Sequence, residues 1–249
     1  MKKLIPLLLT ALLFTTGCLN TTEEITVQKD GSGMYGMTLD FSGLFDMIQA
    51  MQGADPSAEK KAMQNMDTVI RFASFTDTST KFTAAEKALL KNATIHMVMQ
   101  EAQKKFVMEM RYPFKKMDDV EKIMELTQRS GSIMGKAMGA PEMEGGEQPP
   151  TPDFNSYYDL TFKQGVIEKK VNQEKLKAFQ DNPQFEQLKS SSAMFSEATI
   201  SSVIRLPQKA KKATGPGVKI SDGGKLVTVA ASLADALEDP NTLTFRIEY

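Results

Sequence analysis

Ile95, Met97 and Met99 stand at alternate odd positions and Phe106, Met108 and Met110 at alternate even ones, with a short turn near Ala102-Gln103 between them. Period-two alternation marks a strand with one buried face. Folding at that turn sets Met99 opposite Phe106, Met97 opposite Met108 and Ile95 opposite Met110. Cross-strand partners point to the same side, so all six share one apolar face. Such a face must be covered, and Lys116 to Gln128 offers an amphipathic helix through Met117, Val120, Ile123, Met124 and Leu126. Pro113, which has no amide proton for a ladder, is expected to end the second strand.

The same order, two alternating segments around a turn and then a helical pattern, recurs along the chain. Ile25, Val27 and then Met37, Leu39 flank Lys29-Asp30-Gly31-Ser32-Gly33, where Asp-Gly is a strong hairpin signal. Phe41 to Gln52 follows with Leu44, Phe45, Ile48 and Met51 on one helical face and Ser42 as cap. Ser57 to Phe72 reads as a second helix, gathering Ala62, Met66, Val69 and Ile70, and Ala84 to Lys91 as a short third. From Gly139 to Asp153 glycines, prolines and acids leave nothing to bury, which predicts a flexible loop.

Beyond it, Asn155 to Phe162 and Val166 to Val171 form a strand pair turning at Gln164-Gly165, followed by helical patterns at Glu174 to Phe179 and Pro183 to Phe195. Strands at Thr199 to Leu206, Val218 to Ser221 and Leu226 to Ala230 come next. A helix at Ser232 to Glu238 and a terminal strand through Leu243, Phe245, Ile247 and Tyr249 complete the chain. The whole predicts an α+β fold, a meandering antiparallel sheet built of hairpin-helix units with helices on one face.

The amino terminus is of another kind. Met1-Lys2-Lys3 is a positive n-region, and Leu4 to Phe14 is an apolar run shorter than the roughly 20 residues needed to span a bilayer. Thr15-Thr16-Gly17-Cys18 then resembles the lipobox of bacterial lipoproteins, with Thr15 where lipoboxes usually carry leucine. The resemblance implies cleavage after Gly17, diacylglycerol on the Cys18 sulfur and acylation, as with palmitate, of the new amino terminus. Stable attachment takes about two acyl chains, so such an anchor holds the protein on a membrane. The expected organisation is a signal peptide at 1–17, a lipidated tether at 18–24 and an α+β envelope domain at 25–249 carrying the loop at 139–153. Leu19 lacks the acidic signal that retains some lipoproteins at the inner membrane, which favours the outer membrane.

Two turn motifs carry a second resemblance. Asp30-Gly31-Ser32-Gly33 just after the anchor, and the strand, Leu206-Pro207, Asp222-Gly223 order near the end, look like the LppM-type domain of bacterial envelope lipoproteins. That resemblance implies an envelope domain in contact with lipids or glycolipids.

Removing residues 1–17 takes away Lys2 and Lys3 and moves the formal charge from −1 to −3. A weakly acidic surface has no field to draw in phosphate backbones, so no nucleic-acid partner is expected. Cys18 is the one cysteine, so an acylated chain has no disulfide and is stabilised by packing alone.

Several chemical motifs dissolve in context. Gly31-Ser32-Gly33-Met34-Tyr35-Gly36 satisfies the dinucleotide spacing, but that fingerprint needs a helix opening at the glycines, whereas Met37-Thr38-Leu39-Asp40 alternates like a returning strand. His96, the single histidine, falls on the face opposite the methionines, with Val98, Gln100, Glu109 and Arg111. A triad or zinc site would have to be built around it, and no spacing supports one. Met97-x-Met99 faces away from it, which weakens a thioether copper site. Asp118-Asp119 and Glu23-Glu24 are sequence neighbours, and neighbours on a helix do not face one another. Sugar hydrolases favour aromatic platforms, and the chain has no tryptophan.

The expectation is therefore a membrane-anchored, non-enzymatic lipoprotein without metal or cofactor. Its partners are the membrane through Cys18 and a lipid or an envelope protein. Seventeen methionines are mostly ordinary flexible filler, but Met97, Met99, Phe106, Met108 and Met110 are the side chains expected to meet a hydrophobic ligand. The rival reading is an envelope hydrolase using carboxylates. Deleting Glu142 to Thr151 should leave the melting temperature nearly unchanged, because loop entropy varies slowly with length. Strong hydrogen-exchange protection of those residues would contradict the loop.

Overall fold

The computed structural model describes residues 20–44, 65–77, 79–127, 155–182, 185, 186, 189 and 197–249. The expected signal peptide, Cys18, most of the helix at Phe41 to Gln52, the loop at 139–153 and most of Pro183 to Phe195 lie outside the described residues.

Among the described residues twelve strands form two sheets. The first three strands are β1 (Asn20–Val27), β2 (Gly33–Asp40) and β3 (Met66–Arg71). Next come α1 (Ala73–Thr76), α2 (Ala84–Leu90), β4 (Thr94–Gln100), β5 (Lys105–Phe114) and α3, over 119–127. They are followed by β6 (Tyr158–Lys163), β7 (Val166–Val171), α4 (Gln173–Gln180), β8 (Thr199–Arg205) and β9 (Lys212–Thr214). The last are β10 (Val218–Ser221), β11 (Leu226–Ser232), α5 (Leu233–Glu238) and β12 (Phe245–Glu248). The larger sheet runs β10-β11-β8-β1-β2-β5-β4-β3 and the smaller β6-β7-β12-β9. The fold is α+β, as expected, and nearly all its pairings are antiparallel.

Local chemistry explains the hairpins. Asp30 accepts hydrogen bonds from the Ser32 amide at 3.0 Å and the Ser32 hydroxyl at 2.7 Å, while Gly31 takes φ +82° to reverse the chain. Those bonds hold the Asp30 carboxyl below the usual carboxylate range. At Gly33 a Cβ would fall 2.0 Å from the Thr26 carbonyl and 2.5 Å from the Phe114 ring, so only glycine lets β1, β2 and that ring meet. Strands β4 and β5 pair in the expected register, Met99 with Phe106, Met97 with Met108 and Ile95 with Met110. Ile95, Met97, Met108 and Met110 are buried in one core with Val120, Ile123, Met124 and Leu126 of α3. The same core takes in Phe162, Ile167, Phe245 and Ile247 of the smaller sheet. A second cluster joins Tyr157, Tyr158 and Val171 to Ile200 and to Leu233, Ala236 and Leu237 of α5.

Four expectations are corrected. Residues 20–24, expected in the tether, are the first five of β1, a central strand bonded to β2 on one side and to β8 on the other. The β1–β8 pair is parallel and the strands form two sheets, so the layout is not a single meander. Met66 to Arg71, expected within a helix, forms β3, because its Thr68-Val69-Ile70 run is β-branched and the outer edge of β4 offers it a ladder. Pro113 lies inside β5 opposite Met34. Strand β4 begins at Thr94 opposite Arg111, so past Arg111 that side of β5 has no β4 partner and the proline nitrogen costs no ladder bond there.

His96 sits on the opposite face of β4, with Nε2 at 2.7 Å from Asp67 and Nδ1 at 4.0 Å from Glu109. Met97→Lys should therefore cost about 2–5 kcal/mol by placing an unpaired charge in the core. His96→Lys, set between two carboxylates, should stay within about 0.5 kcal/mol of the parent. Equal losses in urea melts of the two variants would refute the facing of this hairpin.

Candidate functional site

Strand alternation places an opposite pair of charges where carbon is expected. Glu23 shares the inward face of β1 with Ile25 and Val27, and Lys169 shares the inward face of β7 with Ile167 and Val171. Their side chains are only 8% and 4% exposed, and Lys169 Nζ lies 3.8 Å from Glu23 Oε2. Asn155 joins them: its Oδ1 accepts from Lys169 Nζ at 2.6 Å, and its Nδ2 donates to Glu23 Oε1. Tyr35 of β2 and Ser202 of β8 bring hydroxyls to 3.5 and 3.4 Å from the same carboxylate. The Lys169 ammonium also stands 4.5 Å from the centre of the Tyr158 ring, within cation–π range.

The cluster thus ties three neighbouring strands of the larger sheet to the smaller sheet. Each ionised group keeps polar partners, which is the condition for burying charge without a large penalty. Tyr158 itself donates to the Pro240 carbonyl at 2.6 Å. Burial pushes its phenol well above the usual range, helped by its neighbours Tyr157, Asp239 and Glu23. The arrangement holds two sheets in one relative position, and its charges have little access to solvent.

Of the side chains expected to meet a hydrophobic ligand, Met97, Met108 and Met110 are built into the main core. Met99 and Phe106 are half-buried at the end of the β4–β5 ladder. There Phe106 packs on Phe41 with ring centres 5.1 Å apart, and Met99 faces Met66 of β3. The structure thus separates one expected set into a core group and a marginal group. His96 is half-exposed on a strand face, held by carboxylates of its two neighbouring strands. Cys18 and Gly17 lie outside the described residues. Among the described residues no group of three or more His, Cys, Asp or Glu side chains could hold a metal ion.

Surface concavities among the described residues include two that bear on ligand binding. One, of about 680 Å³, lies where β3, α1, α2 and β4 meet and is lined by Arg71, Asp77, Lys87, Lys91, Asn92 and Thr94 among others. Lys87 there donates to the Asp77 carbonyl at 2.8 Å. The other, about 410 Å³, is bordered by Asp118, Glu121 and Lys163 with Thr161 and Phe162. None of the five expected ligand contacts lines either concavity.

Neither a protein-family model nor a curated protein matches the chain. Among solved structures it is similar to the folded domain of LppM from Mycobacterium tuberculosis, at a TM-score of 0.40 and 8% sequence identity, over 96% of this chain and 94% of that one. Among the described residues no helix is long and apolar enough to cross a membrane.

Lys169→Met should cost about 3–5 kcal/mol by leaving Glu23 charged and buried without its cation. Glu23→Leu alone should cost a similar amount through Lys169, whereas the double variant should recover much of the loss. Denaturant melts of the four proteins measure the coupling, and strictly additive losses would show that the cluster does not act as a unit.

Proposed function

We propose that the chain is an exported lipoprotein, anchored to the outer membrane through a lipidated Cys18, whose α+β domain is a binding module rather than an enzyme. The observation that carries this reading is the order of the first 20 residues. A basic n-region and a short apolar run lead to Gly17-Cys18, and the first strand of the domain opens at Asn20. Cleavage after Gly17 would therefore leave the whole of β1 in the mature chain. Two or more acyl chains, at about 0.8 kcal/mol per buried methylene, would then hold the domain on its membrane.

The choice of binding over catalysis rests on how the polar groups are used. The buried acid and base, Glu23 and Lys169, are committed to each other and to Asn155 across the two sheets. His96 is engaged in a cross-strand pair with Asp67. The bound species is a lipid or other apolar ligand, or an envelope protein, and the half-buried Met99 and Phe106 are the expected side chains nearest to solvent that could meet it.

Cys18→Ala should abolish palmitate incorporation and either block processing or release the domain from the membrane fraction. Maturation of the parent should be sensitive to globomycin. A parent protein that carries no lipid by mass spectrometry and fractionates as soluble would overturn the reading.

A further inference from the structure

The distance between anchor and fold is short enough to say which end of the domain meets the bilayer. Two peptide units separate Cys18 from Asn20, so their Cα atoms are at most about 7 Å apart whatever the conformation between them. Asn20 pairs with Asp40, and Asp40 with Val107, so these three residues lie at one level across β1, β2 and β5. From Val107 the hairpin continues the same way through Phe106 and Lys105 into the 101–104 turn, closed by Lys104 at φ +49°. At about 3.3 Å per residue, Lys105 already stands about 6–7 Å beyond the level of Asn20. The turn tip therefore reaches as far as Cys18 can.

The chemistry of that end suits a lipid headgroup layer. Ala102, Gln103, Lys104 and Lys105 are exposed, and Phe106, the next residue of β5, is half-buried with its ring against that of Phe41. Lysines at a turn tip, with aromatic side chains at the adjoining end of the ladder, match the interface, where ammonium groups stay in the headgroups while apolar surface sits lower. The unit is well braced. The Phe41 amide donates to the Phe106 carbonyl at 2.8 Å, and the Phe106 amide donates to the Ser42 hydroxyl at 3.1 Å.

We infer that the β4–β5 turn, backed by the Phe41–Phe106 pair, is a second contact with the bilayer surface, made by the protein itself. The inference rests on the reading of Cys18 as the lipid-bearing residue. With two points of attachment the domain has a fixed orientation. The 28–32 turn, about 23 Å of β1 away from Asn20 at 3.3 Å per residue, points from the membrane and presents the far end of the sheet to partners.

Full-length lipidated protein in phosphatidylethanolamine–phosphatidylglycerol vesicles tests this. Cys18 uses its sulfur in the thioether, so a fluorophore would attach at an introduced thiol: Lys105→Cys or Ala102→Cys at the near turn, Lys29→Cys at the far one. Quenching by headgroup nitroxide lipids should be several-fold stronger at both near positions than at position 29. Equal quenching, or stronger quenching at position 29, with lipid on Cys18 confirmed in the same sample by mass spectrometry, would overturn the orientation alone. A mass spectrum without lipid on Cys18 would overturn the anchor, and this inference with it.

Discussion

Glu23 and Lys169 occupy positions in apolar stripes where a leucine would carry no desolvation cost, and the relation between the two sheets depends on the pair. Burial of hydrocarbon is non-directional, so a core of Ile25, Val27, Ile167 and Phe245 would accept several offsets of one sheet over the other. A charged pair bridged by Asn155 accepts few, because any shift strands a charge without its partners. The cluster draws on β1, β2 and β8 of one sheet, on Tyr158 and Lys169 of the other and on Asn155 in the turn before β6, so it joins both sheets of the described residues. Its net contribution to stability need not be large, since a buried ion pair often does no better than a hydrophobic replacement.

The strand that carries Glu23 is also the one that the proposed anchor at Cys18 would adjoin. Strand β1 is hydrogen-bonded along both edges, antiparallel to β2 and parallel to β8, whose partners lie about 180 residues later in the chain. If the chain is anchored as proposed, tension between membrane and domain would be delivered to the middle of the sheet, where two ladders and the charge cluster between the sheets share it. A peripheral strand in the same position would peel one bond at a time. A lipid on Cys18, two residues before Asn20, would pull on a strand held along both edges, and such a strand resists fraying.

Much of this was legible in the residues. The β4–β5 register followed from two sets of alternating apolar side chains, and the β1–β2 turn from Asp30-Gly31, because both signals are local and physical. Thr21, Thr22, Glu23 and Glu24 look like a polar tether, which hides the first half of β1. Its regularity appears only when Glu23 is counted with Ile25 and Val27 as one face. The same test on Ile167-x-Lys169-x-Val171 marks the partner, and a charge of each sign inside an apolar alternation was the missed signal of the cluster. Met66, Val69 and Ile70 satisfy helical spacing, which hides β3. The deciding factor was the open edge of β4, which no local window contains. The parallel β1–β8 contact was beyond reach for the same reason.

The methionines show why composition alone could not separate packing from binding. A thioether is flexible and soft in either role, and the alternation that placed Met97, Met99 and Met108 on one face does not say how far the covering layer extends. The structure supplies that extent. Core burial covers Met97, Met108 and Met110, while Met99, Phe106, Met66 and Phe41 lie half-buried where β1 begins. The apolar face therefore runs out of cover at the end of the sheet closest to Cys18. On a protein anchored through Cys18 as proposed, that margin would face headgroups, and one hairpin, Thr94 to Phe114, would be covered by its own protein along most of its length and open to the bilayer at its tip.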